Sequence, residues 1–169
     1  IIAIQHVKPG GLLPACRAGV VGSSGGDITW LHIPGDPRNN YIYQLEWAQN
    51  SQELFIQQLN RLQNTIRVML ADANKGEVRP ILVEEDEAWL ETYPLRWIDE
   101  GRHFIWVSER DGWRHIYLVS RNGKSIKLLT PGHFDILDIL SVDERSGWLY
   151  YIASPDKPAQ RYLYRVPLD

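Results

Sequence analysis

Residues 97–119, WIDEGRHFIWVSERDGWRHIYLV, contain the pattern that decides the fold. An apolar anchor, Trp97, precedes an acidic turn and the apolar run His103–Val107. A polar, glycine-containing turn then separates this run from a second one, Ile116–Val119. Runs of aromatic and β-branched residues between such turns are typical of short antiparallel strands. The stretch therefore predicts two strands joined by a tight turn, with an apolar anchor in front of them.

The same pattern occurs three times along the chain. Each copy has an apolar anchor seven residues before an apolar pair: Trp47 before Leu54 and Phe55, Trp97 before Phe104 and Ile105, and Val142 before Leu149 and Tyr150. Successive anchors are separated by 50 and 45 residues. A period of roughly 40 to 50 residues made of short strands is typical of β-propeller blades. We therefore expect antiparallel sheet modules stacked side by side.

Residues 51–74 carry a conflicting signal. Their apolar residues, from Leu54 to Leu70, fall close to the spacing of an amphipathic helix. The corresponding segments of the other two copies, His103–Tyr117 and Trp148–Tyr164, have strand patterns. The repeat overrides the local spacing, and we predict strands here too.

The composition indicates an all-β fold and excludes several kinds of protein. Seven Trp, eight Tyr, 13 Gly and 10 Pro favour strands and turns. The net charge is −3 and the basic residues are dispersed, so no nucleic-acid partner is expected. No apolar run approaches roughly 20 residues, so no membrane span is expected in this chain. Cys16 is the single cysteine and the five His are scattered, so we expect no disulfide, metal or cofactor.

The predicted blades are too few to close a ring. We expect residues 1–169 to be a fragment of one propeller domain, with blade pieces at about 1–34, 41–84, 92–130 and 136–169. These pieces make about three to three and a half four-stranded antiparallel blades, whereas closed propellers need about four. The sequence thus predicts an all-β, partial β-propeller that is not closed by this chain alone.

A literal G-x-S-x-G sequence occurs at Gly22–Gly26. A nucleophile elbow requires a strand before the serine and a helix after it. The residues that follow, Asp27–Ile33, have a strand pattern instead. We therefore expect a flexible hairpin turn, and no catalytic residue in this chain.

An acidic run, Glu84, Glu85, Asp86 and Glu87, is followed by Trp89. One interpretation is a solvated loop between blades, as most acidic runs are. The other is a substrate cleft, because clustered carboxylates attract an amine and an aromatic face binds ammonium groups. A third interpretation uses the three Glu side chains to act on a carbohydrate.

The segment Asn60–Asn64 is a dense polar turn between two predicted strands. We expect its amides and the Arg61 guanidinium to satisfy backbone groups of the hairpin. The alternative is that Arg61 faces a groove and binds a carboxylate. Arg61 therefore joins Glu84, Glu85, Glu87 and Trp89 as a candidate residue of a substrate cleft.

The chain resembles the N-terminal propeller of the dipeptidyl peptidase IV family, which are serine peptidases of the prolyl oligopeptidase type. The most specific strings are Asn-Arg-x-Gln-Asn and Ser-Glu-Arg-x-Gly-x-x-His-x-Tyr. The resemblance extends from about Arg17 onward. The matching stretches are Trp30–Asp36, Tyr41–Trp47, Leu59–Asn64, Ser108–Tyr117, Leu129–Asp135 and Tyr162–Val166.

The resemblance implies an eight-bladed propeller that caps an α/β-hydrolase domain. In such enzymes the propeller controls peptide access, and the whole protein removes N-terminal dipeptides after Pro or Ala. The catalytic triad belongs to the hydrolase domain, which this chain lacks. The chain is expected to contribute substrate access and cleft wall, with peptide substrate, the hydrolase domain and the remaining blades as partners. A homodimer and export by a bacterium are further implications.

The family also holds the substrate amine with a pair of Glu residues, whose motif would lie upstream of Ile1. The pair Glu84 and Glu85 occupies a different part of the pattern, so the amine-binding role does not transfer to it. The segment from Glu85 to Arg96 corresponds roughly to a region that lines the cleft in relatives, and it is shorter here than in the mammalian forms. An alternative from another class is a non-catalytic propeller that serves as a protein-interaction module.

Overall fold

Thirteen β-strands form four antiparallel sheets in the computed structural model, which describes residues 14–157 and 159–169. The first thirteen residues of the predicted blade piece 1–34 lie outside the described residues. The chain divides after Thr92 into two units. The prediction of an all-β chain is confirmed.

The first unit contains a two-stranded and a four-stranded sheet. The small sheet pairs β1 with β2, and the larger one has the order β3-β4-β5-β6. The strands are β1 (Gly19–Val20), β2 (Thr29–Trp30), β3 (Asn40–Trp47), β4 (Glu53–Asn60), β5 (Thr65–Asp72) and β6 (Val78–Glu85).

The second unit contains a four-stranded and a three-stranded sheet. Their orders are β10-β9-β8-β7 and β11-β12-β13, so both are simple meanders. The strands are β7 (Arg96–Ile98), β8 (His103–Ser108), β9 (His115–Ser120), β10 (Ile126–Leu128), β11 (Ile136–Asp143), β12 (Trp148–Ala153) and β13 (Tyr162–Pro167).

The spacing of seven residues has a structural cause. Each anchor lies on the first strand of its sheet, directly opposite the apolar residue seven positions later. The three cross-strand pairs are Trp47 with Leu54, Trp97 with Phe104, and Val142 with Leu149. The repeat detected in the sequence is therefore the same hairpin, formed three times in the same register.

The segment with the helical spacing forms β4 and β5, so the prediction of strands is confirmed. All residues from Leu54 to Gln58 are buried, because β4 is covered on both faces. A strand buried on both faces has a nearly continuous apolar run, and such a run contains helical spacings by chance.

The first unit buries one face of its four-stranded sheet against the β1–β2 region. Leu54, Ile56 and Met69 pack there with Leu31. Gly76 allows the closest approach: its backbone has φ +74°, and a Cβ atom there would lie 2.2 Å from the carbonyl oxygen of Trp30. Only glycine avoids this clash, which is why the turn after β5 contains one.

The second unit buries its core between its two sheets. Ile105 and Ile116 of the four-stranded sheet share a cluster with Leu149 and Tyr151 of the three-stranded sheet. The other face of β8 carries Phe104, whose ring makes edge-to-face contacts with Trp97 at 5.4 Å and Trp106 at 6.5 Å. Among the described residues there is no helix with the length and apolarity that crossing a bilayer requires.

Candidate functional site

The candidate cleft residues meet at one end of the first four-stranded sheet, which we call the polar end. It comprises the start of β3, the turn Asn60–Asn64, the end of β6 and residues 86–91. The register places Asn40 opposite Asn60 and Thr65 opposite Glu85, so these segments lie beside one another. The structure thus brings Arg61 and the acidic run to the same end of one sheet.

The turn at the polar end is closed by its own amides. The Oδ1 atom of Asn60 accepts hydrogen bonds from the backbone N–H groups of Asn64 at 3.0 Å and Thr65 at 3.1 Å. Its Nδ2 group donates to Asn64 Oδ1 at 2.7 Å. Gln63 adopts a left-handed conformation with φ 57°. The prediction that these amides satisfy the hairpin backbone is confirmed.

The guanidinium of Arg61 has a different partner from the one predicted. Its Nη1 group donates a hydrogen bond to the Tyr41 hydroxyl at 3.0 Å, and no backbone group of the turn accepts from it in the described part of the chain. The guanidinium carbon lies 5.7 Å from the centre of the Tyr41 ring. Tyr41 is a residue of the site that the sequence did not reveal, because its place beside Arg61 depends on the pairing of β3 with β4.

Residues 86–91 are fixed against the turn by backbone hydrogen bonds. The N–H of Asp86 donates to the carbonyl of Asn64 at 3.0 Å, and the N–H of Leu90 donates to that of Gln63 at 2.9 Å. Leu90 is buried, whereas the Trp89 side chain is 58% exposed. The segment therefore presents Trp89 to solvent beside the turn.

The acidic run is not a single loop, which differs from the interpretation of it as a solvated loop between blades. Glu84 and Glu85 are the last two residues of β6, because their pairing with Ile66 and Thr65 continues to the end of the strand. Successive strand residues point to opposite faces. Glu84 is buried and Glu85 is exposed, so they do not act as one pair. The exposed carboxylates are those of Glu85, Asp86 and Glu87.

The G-x-S-x-G sequence lies in the turn between β1 and β2. The N–H of Gly25 donates to the carbonyl of Gly22 at 2.8 Å, which closes the turn. A strand, β2, follows it where an elbow would need a helix. Ser24 is exposed, and within the described residues it lacks the strand-to-helix turn that a nucleophile elbow requires. Within residues 14–157 and 159–169, no group of His, Cys, Asp and Glu has the arrangement of a metal site.

The second four-stranded sheet has a partly buried ionisable pair in the hairpin between β8 and β9. His115 is 1% exposed, and its Nδ1 atom lies 2.8 Å from Asp111 Oδ2. Burial raises the pKa of Asp111, but hydrogen bonds from His115, the Trp113 backbone and Tyr117 outweigh it and hold the pKa below its usual 3.8. The hydrogen bond joins a buried imidazole to a partly exposed carboxylate, and it stabilises the hairpin.

Comparison with known proteins identifies the family. A family model described as "Dipeptidyl peptidase IV (DPP IV) N-terminal region" matches residues 2–169. The chain is 25% identical over 178 residues to "Probable dipeptidyl peptidase 4" of Emericella nidulans, covering 96% of this chain and 23% of that protein. It is 26% identical over 178 residues to "Inactive dipeptidyl peptidase 10" of Mus musculus, covering 97% and 22%.

Solved structures have the same fold. The crystal structure of Porphyromonas gingivalis dipeptidyl peptidase 4 superposes with a TM-score of 0.83 and 25% identity, over 94% of this chain and 22% of that one. The chain spans less than a quarter of the length of each of these relatives. The open sheets and their match to part of this larger propeller agree with the predicted partial fold. The chain belongs to the family of dipeptidyl peptidase IV N-terminal regions.

Proposed function

We propose that the chain is a propeller segment of a dipeptidyl peptidase IV-like serine exopeptidase. Its role there is to form part of the wall along which peptides reach the catalytic centre. The match of the family model over residues 2–169 carries this proposal. The whole enzyme removes N-terminal dipeptides after Pro or Ala, and its α/β-hydrolase domain supplies the nucleophile.

The proposal groups the strands into the blade pieces 1–34, 41–84, 92–130 and 136–169, with the remaining blades supplied by the rest of the protein. The edge strand β3 supports this, because it leaves Tyr43 and Trp47 about half exposed. Unpaired strand edges with exposed apolar residues are normally covered. The proposal also includes a homodimer and export from a bacterial cell, which follow from the family.

The polar end of the first sheet is the part of this chain that we assign to the cleft wall. It combines an exposed indole, that of Trp89, with the exposed carboxylates of Glu85 and Glu87 and the guanidinium of Arg61. Glu85 ends a paired strand, the Arg61 N–H is bonded to Asn39, and Glu87 and Trp89 lie between two bonded residues of the segment after β6. Such a surface contacts the polar backbone and the charged ends of a peptide without reacting with it. Glu84 is buried, so its carboxylate is less accessible to a peptide than those of Glu85 and Glu87.

The experiment that tests this role compares two proteins with a chromogenic Gly-Pro amide. We expect no serine-dependent turnover by the 169-residue chain, with or without Ser24→Ala. We expect turnover by the product of the coding sequence that continues beyond Asp169, where a Gly-x-Ser-x-Gly-Gly elbow should follow a strand and precede a helix. A Ser24-dependent rate in the short chain would overturn the assignment.

One observation favours a second candidate, a propeller without catalysis that acts as an interaction module. The mouse relative named inactive matches this chain about as well as the fungal peptidase does. The propeller alone therefore does not distinguish active from inactive proteins. A coding sequence that ends at Asp169, or that continues into a hydrolase domain lacking the elbow serine, would establish this alternative.

A further inference from the structure

Hydrogen bonds to uncharged groups hold both the backbone and the side chain of Arg61 in place. Its backbone N–H donates to the carbonyl of Asn39 at 3.0 Å, and its side chain donates to the Tyr41 hydroxyl. No carboxylate forms an ion pair with Arg61 in the described part of the chain. A guanidinium has five N–H donors in a planar fork, and the bond to Tyr41 uses one of them. The others face solvent at the polar end, where Arg61 is exposed.

The guanidinium of Arg61 bonds to a residue of β3, whereas the acidic residues of the polar end belong to β6 and the segment after it. Tyr41 lies on β3, and Glu85 ends β6 at the other edge of the order β3-β4-β5-β6. Residues 86–91 are bonded to Gln63 and Asn64 of the turn that carries Arg61. In the described part of the chain, however, none of their carboxylates forms an ion pair with it.

Asp36, the acidic residue that precedes β3, already has hydrogen-bond partners in its own turn. The carboxylate of Asp36 accepts hydrogen bonds from the Arg38 backbone at 2.9 Å and from Asn39 Nδ2 at 3.1 Å. It therefore caps its own turn and does not pair with the guanidinium. The guanidinium of Arg61 consequently has no carboxylate partner in the described part of the chain, and Tyr41 fixes its direction.

We propose that Arg61, with Tyr41 as its positioning residue, binds a carboxylate of a peptide. Planar guanidinium groups bind carboxylates through two parallel hydrogen bonds, and an arginine that is already oriented loses less conformational entropy on binding. The carboxylate comes from the C-terminus or from an acidic side chain of the peptide. The inference rests on the proposed function in one respect, that peptides pass the polar end.

The test measures peptide binding to the 169-residue chain by calorimetry and by the ¹⁵N shift of the Arg61 side chain. The probes are Gly-Pro-Ala-Ala with a free C-terminus, the same peptide as its amide, and Gly-Pro-Asp-Ala amide. The first and third probes separate the two sources of the carboxylate. We expect at least one of them to bind about threefold to fivefold more tightly than the amide of Gly-Pro-Ala-Ala. This is the difference in affinity that one exposed charge pair produces.

Variants assign that preference to the Arg61–Tyr41 pair. Arg61→Gln should bind all three peptides equally, and Arg61→Lys should keep part of the preference because it keeps the charge but loses the fork. Tyr41→Phe should reduce the preference and move the Arg61 ¹⁵N shift while leaving the melting temperature within a few degrees. The matched control is Arg161→Gln, at an exposed position on the other unit, which should change nothing.

The outcomes separate this inference from the proposed function. Equal binding of the three peptides, no binding of any of them, or an unchanged preference in Arg61→Gln would each overturn the inference. The chromogenic Gly-Pro amide has no carboxylate, so its hydrolysis does not depend on Arg61. The peptidase proposal is therefore decided by that assay alone, whichever way the carboxylate preference turns out.

Discussion

The two hairpins that join the central strands of the four-stranded sheets differ in the partners of their arginine side chains. In the β8–β9 hairpin, Arg114 Nε is 3.1 Å from Glu109 Oε1 and Arg110 Nε donates to Ser108 Oγ at 2.9 Å. In the β4–β5 hairpin, Arg61 has a phenol as its side-chain partner. One hairpin therefore carries an arginine paired with a carboxylate, Arg114, whereas the other carries an arginine whose side-chain partner is uncharged.

This difference shows which parts of a repeated module are structural. Both hairpins are closed by a polar side chain that spans the turn, Asn60 in the first and Asp111 with its partner His115 in the second. Those closures satisfy polar groups that are buried or partly buried, and their loss lowers stability. The open guanidinium satisfies nothing buried, so its loss should change binding and leave the fold intact.

The largest expected effect comes from His115→Ala. The substitution removes a side chain that is 1% exposed, deletes its hydrogen bond to Asp111 and leaves a cavity beside Phe134, whose ring is 5.8 Å away. We expect the free energy of unfolding to fall by about 2–4 kcal/mol. Urea denaturation followed by tryptophan fluorescence measures it. Lys124→Ala, at an exposed position of the turn between β9 and β10, is the control, and an equal loss in both variants would contradict a structural role for the pair.

A smaller effect is expected from Asn60→Ala in the other hairpin. Three hydrogen bonds across the turn are lost, but the freed backbone N–H groups reach water because the turn is only partly buried. We expect a loss of about 1–2 kcal/mol in the free energy of unfolding. Leu62→Ala, at a side chain 74% exposed in the same turn, should stay within about 0.5 kcal/mol. A loss at Leu62 as large as that at Asn60 would mean that packing, and not the amide, closes the turn.

The smallest expected effect is an acid dependence that Asp111 contributes. Its pKa is lower in the folded chain than the usual 3.8, so its contribution to stability is full above the unfolded value and disappears as the pH falls through the folded value. We expect the urea midpoint to decrease between about pH 5 and pH 3, and less steeply in Asp111→Asn. Asp156→Asn, at an exposed position, should keep the wild-type slope. Parallel curves for the wild type and Asp111→Asn would contradict the pKa direction.

The fold was predictable because three hairpins repeat one register. Trp97 and Phe104 are seven residues apart because they pair directly across the first two strands of their sheet. Any hairpin with the same register has the same spacing. The same repeat predicted a strand at β4, where the spacing of apolar residues suggested a helix. That spacing arises because both faces of the strand are buried. Periodicity over 45 to 50 residues is thus a stronger signal than the spacing of apolar residues inside one segment.

The candidate site was predictable only in part, since it depends on register and strand ends. The sequence indicated Arg61 and the acidic residues, but it did not show that the segment after β6 is bonded to the turn that carries Arg61. It did not reveal Tyr41, because the pairing of β3 with β4 is shifted by a bulge between Ile42 and Gln44. Nor did it show that β6 continues through Glu84 and Glu85. Acidic residues are rare in strands, and only the pairing with β5 shows that these two residues belong to β6.

The most direct test of the central claim, that the polar end of the first sheet lines the path of the peptide, is site-specific cross-linking. A photoreactive benzoylphenylalanine replaces Glu87 at the polar end or Ser51 in the turn at the opposite end of the same sheet, in the product of the full coding sequence. We predict that a biotin-labelled Gly-Pro peptide is captured at position 87, that unlabelled peptide competes, and that position 51 captures little. Equal capture at both positions, or capture at position 51 alone, would contradict the claim.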